Sequence, residues 1–151
     1  MSPVIEYIDK KYIKKLVSTD KYSALEELAQ VFQGGDVCSD VDVLVKALKE
    51  REAILSTGIG MGIAIPHAKV NVVKEMAFAV GISLKGIDFD SLDGKPAKII
   101  ILVAAGERQH KEYLRLLSNI MAILRNETVK KSIIEAESPE TIMEIFRAKE
   151  N

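Results

Sequence analysis

Hydrophobic residues in the first third of the chain recur at the spacing of two amphipathic helices. Ser23 opens an S-x-x-E capping box, and a Gly-Gly pair at residues 34–35 predicts the end of the first helix. The apolar face of that helix comprises Leu25, Leu28, Ala29 and Phe32. Asp40 is the predicted N-cap of a second helix, which runs to about Arg51. Its apolar face comprises Val41, Leu44, Val45 and Leu48.

The middle of the chain changes to the two-residue period of β-strands. Large and small residues alternate from Met76 to Leu84, which predicts a strand with one crowded and one close-packed face. The run from Ile99 to Ala105 is apolar on both faces, as in a central strand that is covered from both sides. Polar stretches over residues 69–75 and 86–95 predict loops. Residues 1–20 carry only a weak pattern, which suits a short helical turn.

Three further helices are predicted after the central strand. The first carries a stripe at spacings of 4, 3, 4 and 3, formed by His110, Leu114, Leu117, Met121 and Leu124. The stripe is expected to face inward, which puts His110 beside the carboxyl end of a central strand, where open α/β sheets bind ligands. A second helix covers about residues 129–134, and Ser138 with Pro139 opens a third. Together these patterns predict a single α/β domain over residues 1–151, with a mixed central β-sheet flanked by helices on both faces.

Charge and cysteine content exclude several classes of protein. The chain has 21 Lys and Arg against 22 Asp and Glu and no block of basic residues, so no nucleic-acid partner is expected. The single cysteine, Cys38, has no partner for an internal disulfide, and the first residues lack the apolar core of a signal peptide. The longest apolar run is too short to span a bilayer, for which about 20 apolar residues are needed. We therefore expect a cytoplasmic protein without direct membrane insertion.

The segment that most strongly suggests a reactive site lies between Arg51 and His67, where alternating glycines precede a short apolar segment and a Pro-His pair. A dinucleotide fingerprint needs G-x-G-x-x-G, but Ile63 occupies the position of its last glycine. Two histidines and one cysteine do not make a zinc site, and Ser56 lacks the G-x-S-x-G frame of a serine hydrolase. We therefore expect no cofactor and no metal. Pro66 fixes its own φ and stiffens the backbone before His67, which leaves a firmly held imidazole.

Three segments carry a resemblance to a known family: REAILSTGIGMGIAIPHA from Arg51, GIDFDSLDGKP from Gly86, and HKEYLRLLSNI from His110. In this order, and over nearly the whole chain, they resemble the enzyme IIA domain of the fructose/mannitol class of the bacterial phosphoenolpyruvate-dependent phosphotransferase system. That class includes the nitrogen-related regulatory proteins. The G-I-A-I-P-H core, with an Arg-Glu pair upstream, is a specific motif.

The resemblance implies that His67 is the residue that accepts a phosphoryl group. Imidazole suits this role, because its ordinary pKa of about 6.5 leaves one ring nitrogen unprotonated at neutral pH. The resemblance also implies that Arg51 and His110 flank the acceptor and bind or orient the phosphate. Ser56, Thr57 and the N–H groups of the glycine loop are candidates for the rest of a phosphate cradle. The alternatives are that Arg51 caps the carboxyl end of its helix and that His110 is a buried histidine satisfied by a carbonyl.

Two functions remain open from the sequence. In the first, the histidine-containing phosphocarrier protein donates a phosphoryl group to His67, which passes it to a cysteine of an enzyme IIB partner during sugar uptake. In the second, the protein is a regulatory module whose phosphorylation state controls its binding to other proteins. Met61 stands where relatives often have asparagine, and Ala68 stands where glycine is common, so we expect local differences around the glycine loop.

Overall fold

A six-stranded mixed β-sheet forms the centre of the protein. The structure, a computed structural model, describes residues 3–150. The strands are β1 (Ile13–Lys15), β2 (Gly58–Gly60), β3 (Ile63–Ala64), β4 (His67–Lys69), β5 (Ala77–Ile87) and β6 (Ala97–Ala105). The α-helices are α1 (Lys21–Ala29), α2 (Val41–Ile54), α3 (His110–Leu124), α4 (Glu127–Glu135) and α5 (Pro139–Glu150). Short 3-10 helices cover Val4–Tyr7, Lys10–Tyr12 and Gln30–Phe32.

Helices cover both faces of the sheet, as the sequence predicts. The strand order is β1-β5-β6-β3-β2, and β4 also pairs with β6. β1 is parallel to β5, β5 is antiparallel to β6, and β6 is parallel to both β3 and β4. α1 and α2 pack on one face, while α3, α4 and α5 pack on the other. The predicted fold class is confirmed, and no helix among residues 3–150 is long and apolar enough to cross a membrane.

Side-chain size decides which face of β5 meets which layer of helices. Phe78 and Val80 lie in the core beneath α3, α4 and α5. Ala79 faces α1 and α2 on the other side of the sheet. Gly81 continues this small face, where a Cβ would come within 2.8 Å of the Leu16 side chain. The alternation of large and small residues therefore lets α1 approach the sheet closely.

The segment that carries His67 runs parallel to β6 from Ile63 to Lys69. Ile63 pairs with Ile99 in β3, and His67 pairs with Val103 in β4, so both short strands keep the same offset from β6. Pro66 lies between them and has no N–H for the ladder, but its carbonyl accepts a hydrogen bond from the Val103 N–H at 3.0 Å. His67 therefore lies on the sheet face that α3 covers, near the end where β4 and β6 both stop.

The beginning of the chain differs from the prediction in two respects. α1 begins at Lys21 and not at Ser23, because the Asp20 carboxylate accepts the Ser23 N–H at 2.9 Å and caps the helix. The weakly patterned first 20 residues contain β1 where a helical turn was expected. Parallel pairing of β1 with β5 supplies backbone hydrogen bonds that a local pattern does not reveal.

The boundaries of three later elements also extend beyond the prediction. Asp40 caps α2 as expected, with its carboxylate accepting the N–H three residues on, but the helix continues past Arg51 to Ile54. Lys69, predicted as the first loop residue, ends β4, and β5 continues to Ile87. Arg51 thus lies in the last turn of α2, where cationic side chains meet the unpaired carbonyls of the helix end.

The inward face of α3 is rotated by one residue from the prediction. The buried side chains are Tyr113, Leu116, Ile120, Ile123 and Leu124. Leu114 is 50% exposed, and His110 is exposed on the first turn. Apolar residues occupy both the predicted and the observed stripes, so their spacing does not fix the rotation of the helix. The expected inward orientation of His110 is therefore wrong.

Candidate functional site

His67 has one ring nitrogen engaged by the backbone. Its Nδ1 lies 3.3 Å from the Ile65 carbonyl oxygen, and its half-buried ring lies against Tyr113 with 4.9 Å between the ring centroids. Because a carbonyl oxygen only accepts hydrogen bonds, Nδ1 carries the proton of the neutral ring. The other nitrogen, Nε2, then has a free lone pair and is the nucleophilic atom of this side chain.

The surroundings of His67 hold its pKa below the ordinary value for histidine. Burial has the largest effect and lowers the pKa, while the hydrogen bond to Ile65 opposes it. The positive charges of Arg51 and Lys69 lower the pKa further, and the negative charge of Glu52 raises it. The net effect keeps the imidazole neutral, and therefore nucleophilic, over a wider pH range than a free histidine.

His110 and Lys69 meet at the edge of the site. The Lys69 ammonium group lies 2.9 Å from His110 Nδ1 and 4.8 Å from the centroid of the Tyr113 ring. An ammonium group only donates, so His110 Nδ1 accepts and its Nε2 carries the proton. The structure thus brings both histidines to the same tyrosine, with ring centroids 4.9 Å from Tyr113 for His67 and 6.3 Å for His110.

Arg51 has both a structural contact and an electrostatic influence on the site. One terminal nitrogen donates to the Leu55 carbonyl at 2.8 Å, which is the helix-capping interaction that the sequence leaves as an alternative. Its charge nevertheless lies close enough to lower the pKa of His67 and to oppose the rise that burial causes in the pKa of Tyr113. The guanidinium group has five N–H donors, so this cap leaves several available for an anion.

Ser56 and Thr57 use their hydroxyl groups within the protein. The Ser56 hydroxyl donates to the Phe89 carbonyl, and the Thr57 hydroxyl donates to Glu52. The Thr57 N–H also donates to Glu52, at 2.8 Å. Neither hydroxyl is directed to His67 by these contacts, and both hold the segment between α2 and β2 in place. The cradle role predicted for these two residues therefore receives no support from their hydrogen bonds.

The tip of the glycine loop lies away from His67, where it does not surround the imidazole. The loop is the turn between β2 and β3, which precedes Ile63. Along β6 the positions paired with Ile63 and His67 are Ile99 and Val103, and this separation corresponds to about 13 Å at the usual strand rise. The tip of the loop, Met61 and Gly62, lies beyond that distance, so a role in a cradle receives no support there. Gly58 pairs with Ala64, and its N–H donates to the Ser56 hydroxyl at 3.0 Å.

Met61 occupies a left-handed backbone conformation in this turn, with φ of 59°. Its N–H donates to Asp93 Oδ2 at 3.0 Å, and its carbonyl accepts from the ammonium group of the buried Lys130 at 2.9 Å. Asparagine tolerates this conformation better than methionine does, which is a backbone reason to expect asparagine at this position. The departure at Met61 thus concerns the turn and not the surroundings of His67.

Three residues of the site were not found from the sequence. Lys69 lies two residues after His67, and this spacing on a strand puts both side chains on the same face. Tyr113 and Glu52 were overlooked because a tyrosine in an apolar helix suggests core packing and a glutamate in a helix suggests solvent exposure.

Among the described residues, no group of three His, Cys, Asp or Glu side chains has the arrangement of a metal site.

Comparison with known proteins identifies the family. The family model described as "Phosphoenolpyruvate-dependent sugar phosphotransferase system, EIIA 2" matches residues 6–149. The fructose-specific EIIABC component of the PTS system of Bacillus subtilis (strain 168) is 37% identical over 144 residues, which are 95% of this chain and 23% of that protein. The fructose-specific EIIA component of Haloferax volcanii is 36% identical over 126 residues, 83% of this chain and 82% of the relative.

A solved structure agrees with the family model. The crystal structure of nitrogen regulatory protein IIA-Ntr from Neisseria meningitidis superposes with a TM-score of 0.87 at 25% identity, covering 95% of this chain and 98% of that one. Relatives therefore include both sugar-specific and nitrogen-regulatory proteins, and the resemblance noted in the sequence is confirmed. With the family model matching nearly the whole chain, the protein belongs to the EIIA 2 family of the phosphoenolpyruvate-dependent sugar phosphotransferase system.

Proposed function

We propose that the protein is a phosphohistidine phosphocarrier of the phosphoenolpyruvate-dependent phosphotransferase system, with His67 as the residue that becomes phosphorylated. The observation that carries the proposal is the hydrogen bond from His67 Nδ1–H to the Ile65 carbonyl, which leaves Nε2 as the free nucleophile. Membership of the EIIA 2 family supports a role in phosphoryl transfer.

The reaction exchanges one nitrogen–phosphorus bond for another. The Nε2 lone pair of His67 forms a bond to phosphorus while the bond to the donor's phosphohistidine breaks, and that bond's electron pair returns to the donor imidazole. No proton has to leave Nε2, because the hydrogen of the neutral ring is on Nδ1. Catalysis therefore consists mainly of holding the two rings in line and of stabilising the charge on the equatorial phosphate oxygens.

Cationic and N–H groups around His67 supply this stabilisation. Lys69 contributes an ammonium group, and His110 contributes its Nε2–H once Nδ1 accepts the hydrogen bond from Lys69. Arg51 contributes the N–H groups that its bond to Leu55 leaves free. A planar guanidinium matches the geometry of phosphate oxygens, so Arg51 is the residue best suited to bind the transferred group.

The donor in this proposal is the histidine-containing phosphocarrier protein, and the acceptor is a cysteine of an enzyme IIB domain. A second candidate function uses the same chemistry but has regulation as its output, with the phosphorylation state of His67 controlling the binding of another protein. The similarity to a nitrogen regulatory protein favours this second function, and the similarity to fructose-specific proteins favours the first.

Labelling with phosphoenolpyruvate tests the acceptor residue. Incubation with radiolabelled phosphoenolpyruvate, enzyme I and the histidine-containing phosphocarrier protein is expected to give acid-labile, base-stable phosphate on the wild-type protein. The variant His67→Ala is expected to lose the label, because the unprotonated Nδ1 of the other histidine, His110, is already engaged by the Lys69 ammonium group. Full labelling of His67→Ala would contradict the assignment. Circular dichroism of the variant separates loss of the nucleophile from loss of the fold.

A chase experiment separates the two outputs. The labelled protein is mixed with each enzyme IIB domain of the same genome, and transfer is followed by the appearance of labelled cysteine. Transfer to one of these domains supports the sugar-uptake branch. Retention of the label with all of them supports the regulatory branch, for which a pull-down with phosphorylated and unphosphorylated protein should then give different binding partners.

A further inference from the structure

Glu52 is a buried carboxylate that the reaction proposed above does not use. It is 3% exposed and follows Arg51 in the last turns of α2. Its Oε2 lies 3.1 Å from the ammonium group of Lys21, which is itself 8% exposed. The same Lys21 also pairs with Asp90 at 3.3 Å. A charge pair this deeply buried costs desolvation energy and often contributes little net stability, so its connections within the fold become informative.

Four hydrogen bonds connect Glu52 to the ring of His67. The carboxylate accepts both the N–H and the hydroxyl of Thr57. The Thr57 carbonyl then accepts the Ile65 N–H at 3.0 Å. The Ile65 carbonyl, on the same residue, accepts His67 Nδ1–H at 3.3 Å. Glu52 is thus linked through Thr57 to the carbonyl that selects the tautomer of His67.

The backbone of Ile65 lies outside the ladder with β6, although its side chain is buried in the core, so the hydrogen bonds of its backbone depend on this chain. Regular pairing with β6 stops at Ala64 and resumes at His67, so Ile65 lies in the interruption caused by Pro66. The Ile65 N–H bonds to Thr57 and not to a strand neighbour in β6. Movement of Thr57 would therefore move the carbonyl that holds His67.

Glu52 also affects the site through its charge. Arg51 and Lys69 both lower the pKa of His67, whereas the negative charge of Glu52 opposes them. The geometric and the electrostatic effects act on the same ring but are separable by experiment. A change of geometry alters which nitrogen carries the proton, and a change of charge alters the pH at which the ring titrates.

We propose that Glu52 is a positioning residue for His67, which acts through Thr57 and Ile65 to keep the proton on Nδ1 and the lone pair on Nε2. The consequence for phosphoryl transfer rests on the proposed function of His67. Without this anchor the Ile65 carbonyl is no longer fixed, the Nδ1–H bond lengthens, and the ring populates the other tautomer and other orientations. The fraction of molecules with Nε2 aligned for attack then falls.

The double variant Lys21→Met/Glu52→Leu tests the geometric link. It removes both members of the pair, so that no buried charge remains unpaired, and takes away the acceptor of Thr57. In nitrogen NMR spectra of the His67 ring we expect a lower population of the Nδ1–H tautomer than in the wild type. We also expect labelling by the phosphocarrier protein to slow about 10- to 100-fold, because a small displacement of a reacting atom is costly.

Two further variants complete the comparison. Glu52→Gln keeps an oxygen that accepts from Thr57 but removes the charge. It is therefore expected to retain the wild-type tautomer and to lower the pKa of His67. Glu50→Gln, at an exposed position of the same helix, is the matched control and is expected to change neither. A purely structural role would lower the unfolding temperature of the double variant while its ring tautomer stayed that of the wild type, and this result would overturn the proposal.

Thr57→Val tests the link between Glu52 and the His67 tautomer if the double variant does not fold. It keeps the ion pair and the backbone bond from the Thr57 N–H but removes the hydroxyl bond to Glu52, and a partial loss of the Nδ1–H tautomer is expected. An unchanged tautomer would then overturn the proposal. If the wild-type protein is not labelled on His67, the phosphocarrier function fails by itself, while the NMR comparison of the variants still decides the role of Glu52.

Discussion

Lys69 is the residue that joins the two histidines into one site. It follows His67 by two positions on β4, and its ammonium group reaches His110 Nδ1 at 2.9 Å across the Tyr113 ring. Its charge lowers the pKa of His67, and its hydrogen bond selects the His110 tautomer that has a proton on Nε2. In the proposed reaction, Lys69 therefore acts on the nucleophile and on a phosphate-binding partner at the same time.

Lys69→Gln is expected to raise the pKa of His67 and to slow its phosphorylation. The pKa rises because one of the two cations that disfavour the imidazolium form has gone. The rate is expected to fall about 100-fold, the usual cost of removing one group that stabilises charge in a transition state. An NMR titration of the His67 ring and the rate of labelling measure the two effects.

Lys74→Gln is the control for this variant, since Lys74 is an exposed lysine that lies beyond the end of β4. A His67 titration curve that is the same in Lys69→Gln and in the wild type would show that Lys69 does not act on the ring. Equal labelling rates in Lys69→Gln and Lys74→Gln would remove Lys69 from the phosphate-binding groups.

At the level of single residues, the sequence predicted which groups come together at the site better than it predicted the hydrogen bonds around them. His67, Arg51 and His110 come to one end of the sheet as expected. Ser56 and Thr57 were expected to bind phosphate because their residue types suit it, but a sequence does not show that other groups of the protein already use their hydroxyls. Hydrogen-bond competition of this kind depends on tertiary structure.

Among the elements, the connection between β1 and α1 depends on one carboxylate. Glu27 of α1 accepts the Val17 and Ser18 N–H groups that follow β1, and it pairs with Lys14 at 3.0 Å. Burial by itself raises the pKa of Glu27, but the hydrogen bonds from Ser18 and Val17 and the contact with Lys14 outweigh it and lower the pKa to about 2. The ionised form is thus the one that the folded protein stabilises.

Glu27→Gln is expected to lose stability at neutral pH and to lose less of it in acid. A carboxylate with a folded pKa of about 2 and an ordinary value of 4.5 contributes stability above pH 4.5, and this contribution disappears as the pH falls toward 2. Urea unfolding at several pH values should therefore show the free-energy difference between wild type and variant shrinking below pH 4.5. Glu26→Gln, which breaks the exposed pair with Lys49, is the control. A difference that stays constant from pH 7 to pH 2 would contradict the assignment.

The presence of the helices was predictable from the sequence. Their first residues, and the side of each helix that faces the sheet, were not. Both Asp20 and Ser23 are good N-cap residues, and only the fold shows that Asp20 accepts the Ser23 N–H. In α3 the sequence offers two apolar stripes one residue apart, and contact with β6 selects the one with Tyr113 and Leu116. Local patterns therefore define the elements, and packing against the sheet orients them.

Across the whole molecule, the candidate site and the turn with Met61 lie at opposite ends of β6. His67 pairs near the carboxyl end, at Val103, while the turn with Met61 lies beyond the partner of Ile99 at the other end. Asp93 and Lys130 fix this turn through the N–H and the carbonyl of Met61. A change in the turn should then affect stability without affecting the chemistry at His67.

Met61→Asn is expected to stabilise the protein by about 0.5–1 kcal/mol, because asparagine adopts a left-handed backbone at lower cost. For a chain of this length the unfolding temperature should rise by about 2–4 °C per kcal/mol. Thermal unfolding measures the gain, and Met61→Ala serves as the comparison because alanine retains the backbone strain. The labelling rate of His67 should be that of the wild type; a rate that changed several-fold would mean that the two ends of β6 are coupled.

The sheet itself was predictable because its two long strands have distinct patterns. The alternation in β5 indicated two unequal faces, and the continuous apolar run of β6 indicated cover on both sides, as the two cores confirm. The short strands β2, β3 and β4 were less visible, since three residues or fewer carry too little pattern to distinguish a strand from a loop. Their positions depend on pairing with β6 and with one another.

Ile63 and His67 pair with β6 at the same offset, so the number of residues between them determines which face of the sheet His67 occupies. Neighbouring side chains on a strand point to opposite faces, so one inserted or deleted residue before His67 would turn the imidazole toward α1 and α2. It would then lose Tyr113 and His110, although every residue of the site was still present. The number of residues between Ile63 and His67 is thus as strict a requirement for a reactive histidine as the histidine itself.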